Sequence, residues 1–367
     1  MTLAAIWSEA SRSHDPAGEV WIGVPIEGDE TPERGTVMKR AIDGLGLDVI
    51  EPHPHGDRAI TAIHDPGMLE YLRTAYDEWV AAGYPDDPGQ DRVVAYAFRH
   101  PGAFGHVAER LPRSRTAMAG VYCMDTCTVL GPGSYTGIRY AVDAALTAAD
   151  LILAGEGHAY AAVRPPGHHA GTDYFGGSCY LNNAAIAAHH LVGAGGGRVG
   201  IIDIDAHHGN GTQQIFYERD DVLYASVHVD PGEGWFPHWS GFSDEIGVGP
   251  GVGFNRNFPL APGSDDDAFV DAVITAGELV TDKGCAALVV SLGVDAGRED
   301  PESPLQVSAA GFSRAGSVLR ELALPTLLVQ EGGYHLLALQ RDLTAILNRF
   351  SSAGGADHEL EPLAGPG

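Results

Sequence analysis

The run Asp203-Ile204-Asp205-Ala206-His207-His208-Gly209-Asn210-Gly211 sets two carboxylates and two imidazoles at the end of an apolar stretch that begins at Val199. Asp205 and His207 are two residues apart, a spacing that points both side chains the same way while the chain stays extended. An oxygen donor beside an imidazole suits a divalent cation such as zinc or manganese. The glycines that follow permit tight turns and close approach. A further carboxylate, Asp295, ends the apolar run Ser291-Leu292-Gly293-Val294. Alone it would be an ordinary turn residue. With Asp205 and His207 it supplies a third metal ligand, and three protein ligands leave a position for water and substrate.

Arg164-Pro165-Pro166-Gly167-His168-His169 presents adjacent histidines on a loop stiffened by proline. They are open to three roles: metal ligand, core partner, or acid/base group. The last is favoured because the metal already has a ligand set. A neutral imidazole can take a proton from water, and it or its neighbour can return one to a leaving amine. Glu331-Gly332-Gly333-Tyr334 follows another apolar run, and its glycines allow an irregular loop that presents a phenol. Tyr334 is a candidate donor to a polarised carbonyl and the oxyanion formed from it.

These segments need elements to hold them, and hydrophobic periodicity supplies an α/β pattern. Strands are predicted at 3–7, 161–163, 199–205, 222–229, 287–294 and 326–330. Helices are predicted at 37–45, 67–80, 141–153, 184–191, 268–281, 308–321 and 336–350. Uninterrupted β-branched runs fit a parallel sheet covered on both faces, with ligands bound beyond the carboxyl ends of its strands. Residues 81–135 lose the periodicity and read as a rim or interface segment. Residues 230–257 read as a polar, Gly-rich connection, and 351–367 as a loose tail. No repeat or linker divides the chain, so one domain over 1–367 is expected.

Composition narrows the function. The 367 residues carry 22 basic and 49 acidic side chains, a formal charge of −27, and Lys39 and Lys283 are the only lysines. A nucleic-acid binder needs a basic face, so that class is excluded. An acidic surface can draw cationic substrates inward. Cys123, Cys127, Cys179 and Cys285 have neither CxxC spacing nor the density of a disulfide scaffold. Reduced thiols and a cytoplasmic location are expected. The N-terminal residues do not read as a signal peptide, and no apolar run approaches 20 residues, so no membrane span is expected.

Taken together, these segments resemble the arginase–histone deacetylase superfamily, in particular the bacterial acetylpolyamine amidohydrolases and class II histone-deacetylase-like amidohydrolases. The resemblance runs from Pro32-Glu33-Arg34 and Ile63-His64-Asp65 through 164–169, 203–211 and Asp295 to Glu331–Tyr334, in family order. It implies a single-domain α/β fold with a roughly eight-stranded parallel sheet. It implies one catalytic Zn²⁺ on Asp205, His207 and Asp295, with His169 as general base, His168 as its electrostatic or acid partner, and Tyr334 polarising the acetyl carbonyl. Asp203 would orient His168, and Asn210 would contact His169. Structural K⁺ is implied at Asp203, Asp205, His207, Ser226 and Val227, and at a second site around Phe216, Arg219, Val222 and Phe254. The Arg164–His169 run and Tyr334 favour the single-zinc side of the superfamily over the di-manganese side.

The polyamine-type likeness rests on Tyr174-Phe175-Gly176-Gly177, Ile215–Arg219 and Phe236-Pro237-His238. Tyr174, Gly177, Ser178 and Phe236 would line the substrate channel. Residues 101–133 look like the family's dimerising entrance insertion, which implies a homodimer or dimer-based tetramer. Three positions depart from the pattern. Ser178 stands where an aromatic wall is common, and Thr116 and Cys127 stand where the polyamine enzymes carry acids. Asp125 is near enough in sequence to compensate. The expected activity is zinc-dependent removal of acetyl from a primary amine, with a small acetylated amine such as an acetylpolyamine as substrate. A peptide lysine deacetylase, a deacylase of another small amide and a non-catalytic acyl-amine-binding protein are the alternatives.

Overall fold

Apolar runs that stay buried on both faces make the centre of the protein. In the computed structural model, which describes residues 3–100, 102, 108, 110–114 and 116–351, β1 (Ala4–Ile6), β4 (Asp48–Ile50), β5 (His158–Ala161), β6 (Val199–Asp203), β7 (Val222–Val229), β8 (Asn255–Leu260), β9 (Ala287–Leu292) and β10 (Thr326–Gln330) form one sheet. Its order is β4-β1-β5-β10-β9-β6-β7-β8, and every pairing is parallel. All residues of β5, β6, β7, β9 and β10 are buried, as expected of strands with helices on both sides.

Alternation sorts these strands between two cores. Ile202, Leu288, Val290 and Leu328 join α1 (Pro32–Gly44), α8 (Asp266–Asp282), α9 (Ala309–Glu321) and α10 (Leu336–Leu347) on one face. Ile201, Val289, Leu327 and Val329 join α5 (Ser134–Leu153) and α6 (Asn183–Gly193) on the other. A third cluster gathers α3 (Pro66–Ala81), the short α4 (Ala119–Tyr122), Phe175 and Tyr180. The remaining helices are α2 (Asp57–Thr61) and α7 (Asn210–Phe216), and β2 (Glu19–Trp21) with β3 (Val24–Ile26) forms a separate antiparallel hairpin.

Several expectations are corrected. The strand expected at 161–163 lies at His158–Ala161. The connection expected over 230–257 ends early, because β8 begins at Asn255. Edge strands β4 and β8 escape the apolar pattern because each has a face in water, and β8 tolerates Pro259 at the sheet edge. Strand β6 stops at Asp203, and residues 205–207 form a bend. The shared direction of Asp205 and His207 therefore comes from a turn and not from strand alternation. Of the expected 351–367 tail, only Ser351 falls within the described residues, as does only part of the 101–133 insertion.

Candidate active site

The polar segments converge because their strands are neighbours. The loops after β5, β10, β9 and β6, four adjacent central strands, carry His168 and His169, Glu331 to Tyr334, Asp295, and Asp203 to His207 respectively. The chain's order along the sheet also reverses here, since β6 lies between β9 and β7. Such a carboxyl-end crevice is the favoured ligand position in an open α/β sheet.

Asp205, His207 and Asp295 are buried, and their ligand atoms lie within 4.8 Å of one another. His207 Nδ1 is 3.0 Å from Asp295 Oδ2 and 3.3 Å from Asp205 Oδ1. Backbone amides fix the remaining carboxylate oxygens. Ala206 N donates to Asp295 Oδ1 at 2.7 Å, and Gly332 N donates to Asp205 Oδ2 at 2.7 Å. A Cβ on Gly332 would stand 2.4 Å from Asp295 Oδ2, and one on Gly293 2.2 Å from Asp205 Oδ2. Glycine at both positions lets the backbone close around the carboxylates. Burial and the nearby Asp205 charge push the Asp295 carboxyl up to about 7, against the pull of His207. Two buried carboxylates this close repel unless a proton or a cation lies between them, and two oxygens with one imidazole nitrogen form a donor set that fits zinc.

The two histidines of the 164–169 loop are set apart by their partners. Asp203 Oδ2 lies 3.0 Å from His168 Nδ1 and also accepts from Tyr224 Oη at 3.0 Å. Burial works against a charged His168, but the carboxylates of Asp205 and Asp203 outweigh it and raise the ring to about 10. His169 Nδ1 lies 2.7 Å from Asn210 Oδ1. The Asn210 amide is oriented by its Nδ2 contact to Tyr174 Oη at 3.2 Å. Its carbonyl therefore faces His169, puts the ring proton on Nδ1 and leaves Nε2 with a lone pair. Burial, followed by the neighbouring His168 and His207, drives His169 well below the usual range. The two neighbours are thus pushed in opposite directions, His168 toward its charged form and His169 toward its neutral one.

Tyr334 lines the same cavity. Its backbone N donates to Asp300 Oδ2 at 2.7 Å, and the Arg34 guanidinium sits 4.8 Å from its ring centroid. Burial holds the phenol well above its ordinary value even with Arg34 nearby, so it remains a donor.

The cavity encloses about 1580 Å³, more than the roughly 300–1,000 Å³ of a small-molecule site. It therefore has room for more than the reacting acyl group. His169, His207 and Tyr334 mark its floor, and Tyr174, Gly177, Ser178 and Phe236 its wall. Phe236 meets His169 edge-on with centroids 4.7 Å apart. A Cβ on Gly177, whose φ is +56°, would stand 2.4 Å from the His169 ring and 2.8 Å from Phe236. Ser178 also adopts positive φ, and its N donates to Thr128 Oγ1 at 2.8 Å.

The mouth carries Glu19, Asp29 and Glu302 beside Trp21 and Ile22 of the β2–β3 hairpin. Burial first, and then neighbouring acids, raise Glu19 and Glu302 each to about 7, for Glu302 against the pull of His207. Cys127 lines the cavity and Thr116 does not. Asp125 also lines the cavity. Its oxygens accept from the backbone N of Gly177 at 2.6 Å, Thr128 at 2.8 Å and Cys127 at 3.0 Å, so the side chain anchors the wall.

Sequence reasoning gave no positioning role to several residues that hold this site together. Glu331 Oε2 accepts from Gly167 N at 2.7 Å and His168 N at 3.2 Å, tying the histidine loop to the end of β10. Burial pushes its carboxyl up to about 8. Arg34 donates through Nε to Gly333 O at 2.7 Å and through Nη2 to Glu331 O at 2.5 Å. Glu30 receives Arg34 Nη1 at 2.9 Å and Arg164 Nη2 at 2.8 Å, with all three side chains buried. Glu331 had a readable signal, a carboxylate ending an apolar strand as Asp203 does. Glu30 had none, since its partners lie 4 and 134 residues away. The hairpin mouth was equally silent.

A parallel α/β sheet with a buried carboxylate–imidazole triad and a paired histidine base at its strand ends defines a hydrolase-type site. Residues 29–350 match the histone deacetylase domain, and the chain belongs to that family and is an amidohydrolase. It is 37% identical over 333 residues to an acetylpolyamine amidohydrolase of Mycoplana ramosa, covering 90% of this chain and 95% of the relative. The crystal structure of an acetylpolyamine aminohydrolase from Burkholderia pseudomallei superposes with a TM-score of 0.89 at 37% identity, over 95% of this chain and 98% of the other. A histone deacetylase-like amidohydrolase of Pseudomonas aeruginosa is 38% identical over 246 residues, covering 64% of this chain and 62% of the relative.

Proposed function

We propose that the protein is a zinc-dependent deacetylase of small acetylated amines, with acetylpolyamines as the substrate class. The observation that carries this reading is the paired-histidine geometry above the triad. His169 is neutral with a free Nε2, and it lies beside three buried metal-ligating side chains. Zinc on Asp205, His207 and Asp295 would supply Lewis acidity for the acetyl carbonyl and the attacking water.

The chain's own residues do the rest. His169 Nε2 takes the proton as water adds to the carbonyl carbon. Tyr334 Oη donates to the oxygen that becomes negative. His168, held cationic by Asp203 and Asp205, faces that charge. The C–N bond breaks as a histidine proton passes to nitrogen, giving acetate and the free amine.

Three features support a slender cationic substrate. Phe236 and Gly177 bound a narrow passage beside His169. Glu19, Asp29 and Glu302 put negative charge at the mouth, where a distal ammonium would sit. Relatives matched over most of their length bear the acetylpolyamine name. The acids of this mouth come from the hairpin, the segment between it and α1, and the 302 loop, which offsets Thr116 and Cys127. A peptide lysine deacetylase is the second reading, favoured by the large cavity volume and by Ser178 in its lining.

Structural K⁺ at Asp203, Asp205, His207, Ser226 and Val227 belongs to the same reading. The register pairing Asp203 with Ser226 supports it. The second site, around Phe216, Arg219, Val222 and Phe254, is supported by the two turns that meet there, where Arg219 N reaches Phe216 O and Tyr224 N reaches Phe254 O. Pairing of two chains through the 81–135 segment is supported by its exposed Tyr96, Phe98 and Leu111. No helix among the described residues is long and apolar enough to cross a membrane.

The test is acetate release by zinc-loaded protein from acetylated polyamines, acetyl-lysine peptides and neutral acetamides. Acetylpolyamines should give the highest kcat/KM. Preference for peptides would transfer the assignment to the second reading, and no acetate from any substrate would overturn both.

A further inference from the structure

Away from the cavity, three histidines from two segments close on one carboxylate. His53 and His55 follow β4, His190 sits in the last turn of α6, and Asp150 sits near the end of α5. His53 Nε2 is 3.2 Å and His55 Nε2 3.0 Å from Asp150 Oδ2, while His190 Nε2 is 2.8 Å from Asp150 Oδ1. The ligand atoms of His53, His55 and Asp150 lie within 4.8 Å of one another. None of the four residues lines the catalytic cavity.

We propose that His53, His55 and Asp150 form a second binding site for a borderline divalent cation such as zinc, distinct from the catalytic triad. Two donors sharing a tetrahedral zinc, each about 2.0–2.1 Å from it, stand about 3.3–3.4 Å apart. The imidazole-to-carboxylate spacings here are within a few tenths of an ångström of that edge. A single carboxylate surrounded by imidazoles favours zinc, nickel or copper over magnesium or calcium.

The surroundings orient the rings for this task. Thr147 Oγ1 lies 3.3 Å from His53 Nδ1 and also accepts from His53 N at 3.1 Å. Asp143 Oδ1 lies 3.7 Å from His55 Nδ1 and accepts from His55 N at 2.9 Å. His55 Nδ1 is buried without a hydrogen bond, and the ring's one side-chain hydrogen-bond partner among the described residues is Asp150, 3.0 Å from Nε2. His190 holds the other oxygen of Asp150. Ligating histidines and carboxylates are commonly braced in this way by their outer neighbours. The His53 side chain is 56% exposed, which leaves an entry path and a position for water. The ion would pin the segment after β4, at the sheet edge, to α5.

The experiment measures bound zinc per chain after chelator stripping and equilibrium dialysis against micromolar Zn²⁺, for the full-length protein and for His53→Ala and His55→Gln. The wild type should hold one equivalent more than either variant, and the acetate-release rate should be the same in all three. Zinc should also raise the wild-type Tm by more than that of His53→Ala. If both variants hold as much zinc as the wild type, the proposal is overturned. His53 is too exposed for its loss to unfold the chain, so should His55→Gln fail to fold, His53→Ala alone decides. Its affinity at this site should fall at least roughly tenfold, and unchanged zinc uptake would reject the site.

Discussion

The floor and the mouth of the cavity are made from different kinds of structure. The floor comes from the ends of four adjacent buried strands, and Asp205, Asp295, His168 and His169 are each held there by a backbone amide or a buried partner. The mouth comes from the β2–β3 hairpin, the 124–127 turn and the 301–302 loop, with Trp21 and Ile22 half or more exposed. Rigid strand ends fix reacting groups to the precision that chemistry demands. Loops can change what enters without moving that floor. The class of reaction is therefore written in the floor and the choice of amine in the mouth.

The difference can be broken most severely from below. Asp295→Ala removes one ligand of the triad. Zinc retention should be lost, and acetate release should drop by at least about 10³-fold, given the several kcal/mol a metal contributes to transition-state stabilisation. Metal analysis alongside turnover checks both, and full activity in a variant verified to be zinc-free would remove the triad from the mechanism.

Behind the floor, Glu30→Gln leaves Arg34 and Arg164 buried against each other. Losing one partner of such a network costs about 3–5 kcal/mol, read as a lower denaturant midpoint. Burial opposes the Glu30 charge, but Arg164 and Arg34 hold its carboxyl below the ordinary range. A depressed folded pKa contributes stability above the unfolded value and loses it as pH falls through the folded one. The wild type should thus lose this advantage over Glu30→Gln only in acid, and an equal gap at every pH would refute the charge account.

Tyr334→Phe keeps the ring over Arg34 and deletes one donor. kcat should fall about 10²–10³-fold, the usual loss for one oxyanion donor, with zinc content unchanged. An unaltered kcat would take Tyr334 out of the reaction.

The mouth should respond more gently and selectively. Glu19→Gln with Glu302→Gln should raise KM about three- to tenfold for a cationic acetylpolyamine, in keeping with partly exposed charge pairs. KM for a neutral acetamide should stay the same. Both carboxyls sit near 7, so they are protonated below that pH. Wild-type KM for the cation should then climb as pH falls through 7, and the double variant should flatten that climb. A parallel rise for the neutral substrate would show that shape, not charge, was altered.

Much of the floor was legible because its residues are punctuation. Asp203, Asp205 and Asp295 each interrupt or end an apolar run, and the doubled histidines stand on a proline-stiffened loop. The long central strands were legible too, since β6, β7, β9 and β10 are buried throughout. The edges were not. Asp48–Ile50 is three residues long and half in water, and Asn255–Leu260 mixes amides with a proline. The hairpin at Glu19–Ile26 failed to register because its apolar residues face the cavity and solvent and join none of the cores.

By itself the sequence determined the parallel α/β class, the ligand types and the doubled histidine, because burial and residue chemistry are local properties of a run. Only the tertiary structure decided that Asn210 fixes the proton on His169, that Glu331 and Arg34 brace the floor, and that Asp125 anchors a wall of the cavity. It also brought His53 and His55 to Asp150, nearly a hundred residues along the chain. The physical reason is that a tautomer, a spent carboxylate or a shared ligand position depends on a partner within about 3 Å in space. Sequence distance carries no record of that partner until the sheet has set its strands side by side.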